Sequence, residues 1–154
     1  MRSICLYFQV HQPFRLRTYR FFDIGSDHYY YDDYQNKRIV RRIAADCYLP
    51  ANEVLLALIN EYGSAFKVTF SISGTAIEQF QKYAPEVIES FKRLAKTGNV
   101  EFLAETYSHS LVALNNPAEF KRQVQEHTAS IKKLFGVTPT AFRNTELVYS
   151  NSIA

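Results

Sequence analysis

Four short runs of β-forming residues are separated by segments whose apolar residues recur at helical spacing, and this alternation leaves the chain few folds to choose from. The runs lie at 3–10, 66–73, 100–107 and 140–143. The first, SICLYFQV, is almost continuously apolar, as a strand buried on both faces reads, and the second, FKVTFSIS, alternates. Between them, Ile39, Val40, Ile43, Ala44 and Cys47 follow helical spacing over 36–47. Pro50 is expected to end that helix and open the next, which carries Val54, Leu55, Leu58, Ile59 and Tyr62 and stops at Gly63. Thr75-Ala76-Ile77-Glu78 matches a capping box at the start of a further helix. Two longer stripes follow. One is Val87, Ile88, Phe91, Leu94 and Ala95 before Gly98; the other is Phe120, Val124, Ile131 and Leu134 before Gly136. Strand, helices, strand, helices, strand, helix, strand predicts an α/β chain of about four parallel βα units with right-handed crossovers.

With 154 residues the chain can form one domain with a sizeable core. A net charge of +3, spread along the sequence, does not argue for nucleic acid; Arg41-Arg42 and Lys132-Lys133 fit solvated helix faces. The two cysteines, Cys5 and Cys47, make no disulfide framework and read as buried reduced thiols. The apolar run behind Arg2 is short and meets Gln9 and His11. No signal peptide or membrane span is expected, and the location implied is cytoplasmic. The 11 Tyr and 12 Phe, without Trp, are the unusual feature; most are core candidates, and the surplus Tyr suits a site that stacks flat apolar surfaces while offering hydroxyls.

Chemistry-bearing side chains gather where strands are expected to end. His11-Gln12-Pro13 closes the first run, either as a binding tip or as a turn whose histidine caps backbone groups. The stretch 14–34, with Arg15, Arg17, Arg20, His28 and Tyr29-Tyr30-Tyr31-Asp32-Asp33-Tyr34, is too aromatic for disorder and is expected to pack near the strand tips. In the third run Glu101, Leu103 and Glu105 share one face by the two-residue period, and a glutamate inside a strand needs a partner. Glu101 alternatively meets water at a frayed strand start. Glu105-Thr106-Tyr107-Ser108-His109-Ser110 then crowds hydrogen-bonding side chains into one loop. His127 reads as a partly buried helix residue. Finally, 140–143 delivers Arg143, Asn144 and the carboxylate of Glu146, placed where α/β barrels keep their chemistry. Glu146 is therefore a candidate nucleophile.

Taken together and in this order, His11-Gln12-Pro13, Cys47-Tyr48-Leu49-Pro50-Ala51-Asn52, Phe70-Ser71-Ile72-Ser73-Gly74, Gly98-Asn99-Val100-Glu101, Glu105-Thr106-Tyr107-Ser108-His109-Ser110-Leu111 and Phe142-Arg143-Asn144-Thr145-Glu146-Leu147 resemble the N-terminal part of glycoside hydrolase family 57, in its α-amylase-like branch. The resemblance implies a partial (β/α)7 barrel and a retaining mechanism on α-1,4-glucans, without cofactor or metal. It implies Glu146 as nucleophile, with His11, Gln12, Glu101, Glu105, His109 and Arg143 as substrate-binding residues. Arg143, or another nearby cation, would help keep Glu146 ionised. The general acid it implies is an aspartate on a later strand, past residue 154. On this reading 1–154 is the first segment of one catalytic domain, supplying four of seven strands and inactive alone. The strand edges and apolar face left open by a half-barrel favour oligomerisation.

Two other readings stay open on the residues. One is a non-catalytic carbohydrate-binding or assembly module that keeps the cleft. The other is a metal-dependent deacetylase of similar shape using His11, His109 and nearby acids, although Gln12-Pro13 stands where its aspartate pair is expected.

Overall fold

A computed structural model describes residues 4–154. Its centre is a parallel sheet of three strands, β1 (Tyr7–Val10), β2 (Val68–Ile72) and β3 (Val100–Phe102), in that spatial order. Phe8 pairs with Phe70, and Phe70 with Phe102. The α/β class and parallel order match the expectation, but the strands are shorter. Ser3, at the expected start of the first, lies outside the described residues. The fourth unit is reduced to one parallel bridge between Ala104 and Phe142. The Ala104 N–H donates to the Ala141 carbonyl and the Arg143 N–H to the Ala104 carbonyl, each at 2.9 Å. The polar run 105–110 explains the short third strand: its backbone and hydroxyls bond within the loop instead of along a ladder.

The helices are α1 (Asp33–Ile43), α2 (Leu49–Tyr62), α3 (Gly74–Tyr83), α4 (Pro85–Lys96) and α5 (Pro117–Phe135). The first begins earlier than its apolar stripe suggests, because the Asp32 side chain accepts the Gln35 N–H and caps it. No break separates α1 from α2. A π-helical stretch, Ala44–Tyr48, joins them, and the Leu49 N–H reaches back to the Ala44 carbonyl. Cys47 within it, and Cys5 ahead of β1, are free but exposed, not buried as expected. Pro50 offers no N–H, so a wider turn beside it leaves the ladder less disrupted than a regular one would. The cap of α3 is Ser73, which accepts from the Ala76 N–H, and not Thr75; the box Thr75–Glu78 is therefore displaced by two residues.

The helices and one face of the sheet share a single core, α1 packing on α3, α2 on α4 and α5 on α4. Val10, Val68, Phe70, Ile72, Val100 and Phe102 point into a core with Val40, Ile59, Phe80, Phe91, Leu94, Ile131 and Phe135. Phe102 stacks on Phe135 with ring centroids 4.6 Å apart, and Phe91 meets Phe70 edge-on at 5.2 Å. By the two-residue alternation, the other face carries Tyr7, Gln9, Thr69, Ser71, Glu101 and Leu103. It is polar and partly open to solvent, and it leads up to His11, Ser73 and Glu105 just beyond the strand ends.

The aromatic stretch 14–34 is an ordered excursion. Leu16 bridges Tyr31 in antiparallel sense, the Arg17 N–H donates to the Tyr30 carbonyl, and the Asp32 N–H donates to the Arg15 carbonyl. Arg17 pairs with Asp27 across it.

Candidate active site

The C-terminal ends of the strands bring together residues almost a full chain length apart. His11, one residue past β1, bonds through Nδ1 to Ser73 Oγ at 2.8 Å. Its ring lies against His109, with centroids 4.1 Å apart and planes 26° from parallel. His109 Nδ1 sits 3.0 Å from Glu105 Oε2, while its Nε2 lies 3.5 Å from Glu146 Oε1 and 3.3 Å from the Gln9 amide. One imidazole therefore spans two carboxylates. Glu105 is buried, whereas the Glu146 side chain is 70% exposed and open to a ligand.

Electrostatics follows this layering. Burial, reinforced by the neighbouring His109, holds the His11 imidazole down from 6.5 to about 4, with Glu146 pulling the other way. Burial pushes the Glu105 carboxyl up, against the pull of His109 and Arg143. Among the described residues Glu105 Oε1 has no hydrogen-bond partner, so the hold of Glu105 on His109 runs through Oε2.

The backbone around this cluster is constrained. Among the described residues, His109 and Glu146 are the two non-glycine positions with positive φ, at 52° and 53°. Such conformations cost about 1–2 kcal/mol each and persist where surrounding contacts fix them. Here Thr106 Oγ1 and Thr145 Oγ1, both buried, meet at 2.8 Å and tie the loop after β3 to the Glu146 segment. The Ser110 N–H donates to Thr106 Oγ1 at 3.0 Å. Gln123, on α5, accepts from the Ser108 N–H and the Ser110 hydroxyl.

A further support comes from His127, fully buried on α5. Its Nε2 lies 2.8 Å from the Ile72 carbonyl, which can only accept, so Nε2 carries the proton. Nδ1 then accepts the Glu105 N–H at 3.4 Å. The ring clamps the ends of β2 and β3, and burial keeps it neutral by lowering its pKa. His127 is thus more deeply buried than its sequence position suggests and belongs to the scaffold of the site.

The remaining expected residues lie elsewhere. Gln12 is buried away from a ligand: its Nε2–H donates to Tyr48 at 3.0 Å, and its Oε1 accepts from Arg15 at 3.1 Å. Arg143 lies over the Tyr7 ring, 5.1 Å from its centroid, and forms no ion pair with Glu146. Glu101 shares the open face but sits four residues below Glu105, roughly 13 Å along the strand. Thr140 Oγ1 lies 3.4 Å from its carboxylate, in a hollow with Lys67, Thr69 and Asn99 at the opposite strand end. Gln9 and Ser73 went unnoticed in the sequence, although counting by two along the first two runs puts both on the open face. Among the described residues no three His, Cys, Asp or Glu side chains converge as metal ligands.

The arrangement offers an accessible carboxylate beside a hydrogen-bonding imidazole and a neutral second imidazole, above an open polar sheet face. That suits nucleophilic work on a polar, hydroxyl-rich substrate.

Known proteins agree with this architecture. A curated protein of Methanocaldococcus jannaschii, named "Putative alpha-amylase", is 43% identical over 153 residues, covering 96% of this chain and 32% of its own length. The chain therefore spans about a third of that relative. Two solved structures resemble it in fold. One is a 4-alpha-glucanotransferase from Thermococcus litoralis, with a TM-score of 0.70 at 18% identity, covering 97% of this chain and 20% of that one. The other is the alpha-amylase AmyC from Thermotoga maritima, at 0.67 and 15%, covering 97% and 36%. No helix among the described residues is long and apolar enough to cross a membrane. The family model for glycosyl hydrolase family 57 matches residues 5–154, nearly the whole length over which this sheet and cluster are built, and the chain belongs to that family.

Proposed function

We propose that this chain forms the nucleophile-bearing side of the cleft in a retaining enzyme that hydrolyses or transfers α-1,4-linked glucose units. Residues 1–154 would be the first segment of its catalytic domain. The observation that carries the reading is the placement of Glu146: an exposed carboxylate joined through His109 to the cluster beyond the strand ends, where His11 also lies. The names of its relatives, an alpha-amylase and a glucanotransferase, supply the substrate class.

In the proposed reaction the Glu146 carboxylate attacks the anomeric carbon. The glycosidic C–O bond breaks, and the leaving oxygen takes a proton from an acid about 5–5.5 Å from the nucleophile. The acid is assigned to an aspartate beyond residue 154. The resulting ester is opened by water in hydrolysis, or by a sugar hydroxyl in transfer. His11, neutral at working pH, accepts from or donates to a sugar hydroxyl, and Glu105, His109 and Arg143 border the subsite. Gln12, bonded to Tyr48 and Arg15, makes no contact with the sugar. Glu101, in the hollow at the opposite strand end, is given no part in the subsite around Glu146.

The test is Glu146→Ala in the full-length protein that carries this chain. The variant is expected to lose the covalent glycosyl-enzyme, read by mass spectrometry after an activated fluorosugar, while still binding glucan. Unchanged turnover would remove Glu146 from the chemistry. Glucan binding without turnover in the unmodified full-length protein would favour a non-catalytic binding module.

A further inference from the structure

The buried pair Glu105–His109 has no role in attacking or protonating a sugar, yet it touches the one group that does. We propose that His109, held by Glu105, is a positioning residue for Glu146: the pair presents an N–H from Nε2 to the nucleophile and keeps its carboxylate aimed until attack. The inference rests on Glu146 as nucleophile.

The geometry allows two states. With two protons on the pair, there are two placements: an imidazolium beside a Glu105 carboxylate, or a neutral imidazole accepting from a Glu105 carboxyl. Either one leaves a hydrogen on Nε2, which faces Glu146 Oε1 at 3.5 Å. With one proton on the pair, it lies between Nδ1 and Glu105, and Nε2 holds a lone pair. That lone pair repels the Glu146 carboxylate and accepts from the Gln9 amide at 3.3 Å. The same nitrogen thus has a partner for each state, and only the first steadies the nucleophile.

The Gln9 amide N–H, 3.3 Å from Nε2, is the partner of the second state, and the Glu146 carboxylate, at 3.5 Å, is the partner of the first. His109 is faced by His11 and Gln9 from the β1 end, Glu105 from the β3 end and Glu146 from the last turn, with Arg143 acting on Glu105 from the side. His11 is kept neutral, so it adds no positive charge against a protonated neighbour. The raised Glu105 carboxyl also favours a second proton on the pair. When Glu146 becomes an ester its charge is lost and its bond to Nε2 weakens. The interaction is therefore strongest before bond formation and is renewed when the ester opens.

The test uses the full-length protein with α-maltosyl fluoride as donor. The C–F bond breaks as the Glu146–carbon bond forms, and fluoride departs without taking a proton. The general acid therefore drops out, and a fall in kcat/KM at high pH reports the proton on the pair. Glu105→Gln keeps the shape, and its amide N–H can donate to Nδ1 as the Glu105 carboxyl does, so Nε2 keeps its hydrogen without a titrating partner. The high-pH fall is expected to shift by about one unit or more, or to disappear. His109→Gln carries an amide N–H to where Nε2 stood, whereas His109→Asn reaches only the place of Nδ1. The Gln variant is expected to retain about tenfold more kcat/KM than the Asn variant, with maltose affinity alike in both. A merely structural role gives the reverse order, because Asn tolerates the left-handed backbone and keeps the bond to Glu105. Asn equal to or better than Gln, or an unmoved pH limb in Glu105→Gln, overturns the proposal. The underlying assignment is read separately: if Glu146→Gln still forms glycosyl-enzyme, the nucleophile is misassigned and the proposal falls with it.

Discussion

The imidazoles of His11 and His109 stack face to face at 4.1 Å, joining the end of the first strand to the loop after the third. Two rings in that position cannot both carry charge cheaply, and burial adds to the penalty on His11. The His11 ring is expected to titrate near pH 4 by NMR, against 6.5 for a free imidazole. For a histidine whose pKa is lowered by folding, the stability contribution is complete above 6.5 and is lost as pH falls through 6.5 towards 4. His11→Gln should flatten that part of the stability curve, by on the order of 1 kcal/mol once solvent screening of a half-exposed ring is allowed for. A midpoint near 6.5 would show that the stack does not govern the ring.

Gly74 opens α3 directly beneath the Tyr107 ring. A Cβ there would stand 2.5–2.6 Å from three ring carbons, and the Gly74 N–H is bonded to the Tyr107 carbonyl at 2.8 Å, so neither side can retreat easily. The helical gain of Gly→Ala is smaller than this clash. Gly74→Ala should destabilise by about 1–3 kcal/mol in urea unfolding, and Tyr107→Ala in the same chain should recover part of the loss. Wild-type stability in the single variant would mean that the ring has room to move.

Helices α4 and α5 lie where their apolar stripes, opening prolines and closing glycines place them, because those cues sit within a few residues of each other. The polar run 105–110 marks the early end of β3, but the reduction of the fourth unit to one bridge has no such cue. It depends on Ala104 finding a single partner at Phe142 and on Thr106 finding Thr145, contacts between residues nearly forty positions apart. The site divides in the same way. Its acids and histidines are conspicuous where polar groups interrupt apolar runs, so Glu105, His109 and Glu146 could be picked out. Which of them touch cannot be read from spacing, and Gln12 shows it: beside His11 in sequence, it is turned into the protein by Tyr48 and Arg15.

His127 illustrates a buried polar group that holds two strands at once. His127→Phe keeps the bulk but leaves the Ile72 carbonyl and the Glu105 N–H without partners in a dry interior. A loss of about 2–4 kcal/mol is expected, with His127→Gln costing less because its amide can replace at least one bond. Equal stability of the Phe and Gln variants would argue that water takes over both groups.

Glu146 combines an exposed side chain with a left-handed backbone, φ 53° and ψ 25°. Few contacts of the side chain help to offset that conformation, so the residue is held there by its neighbours at a cost to the fold. Glycine adopts the same angles freely, and alanine does not. Both substitutions remove the carboxylate and should abolish glycosyl-enzyme formation alike. Their stabilities should differ: Glu146→Gly is expected to exceed Glu146→Ala by about 1 kcal/mol, after allowing for the extra freedom of glycine in the unfolded chain. Thermal unfolding of the two variants side by side reads this difference directly. Equal midpoints would mean that the backbone relaxes once the carboxylate is gone, and that its contact with His109, rather than the Thr106–Thr145 tie, fixes the turn.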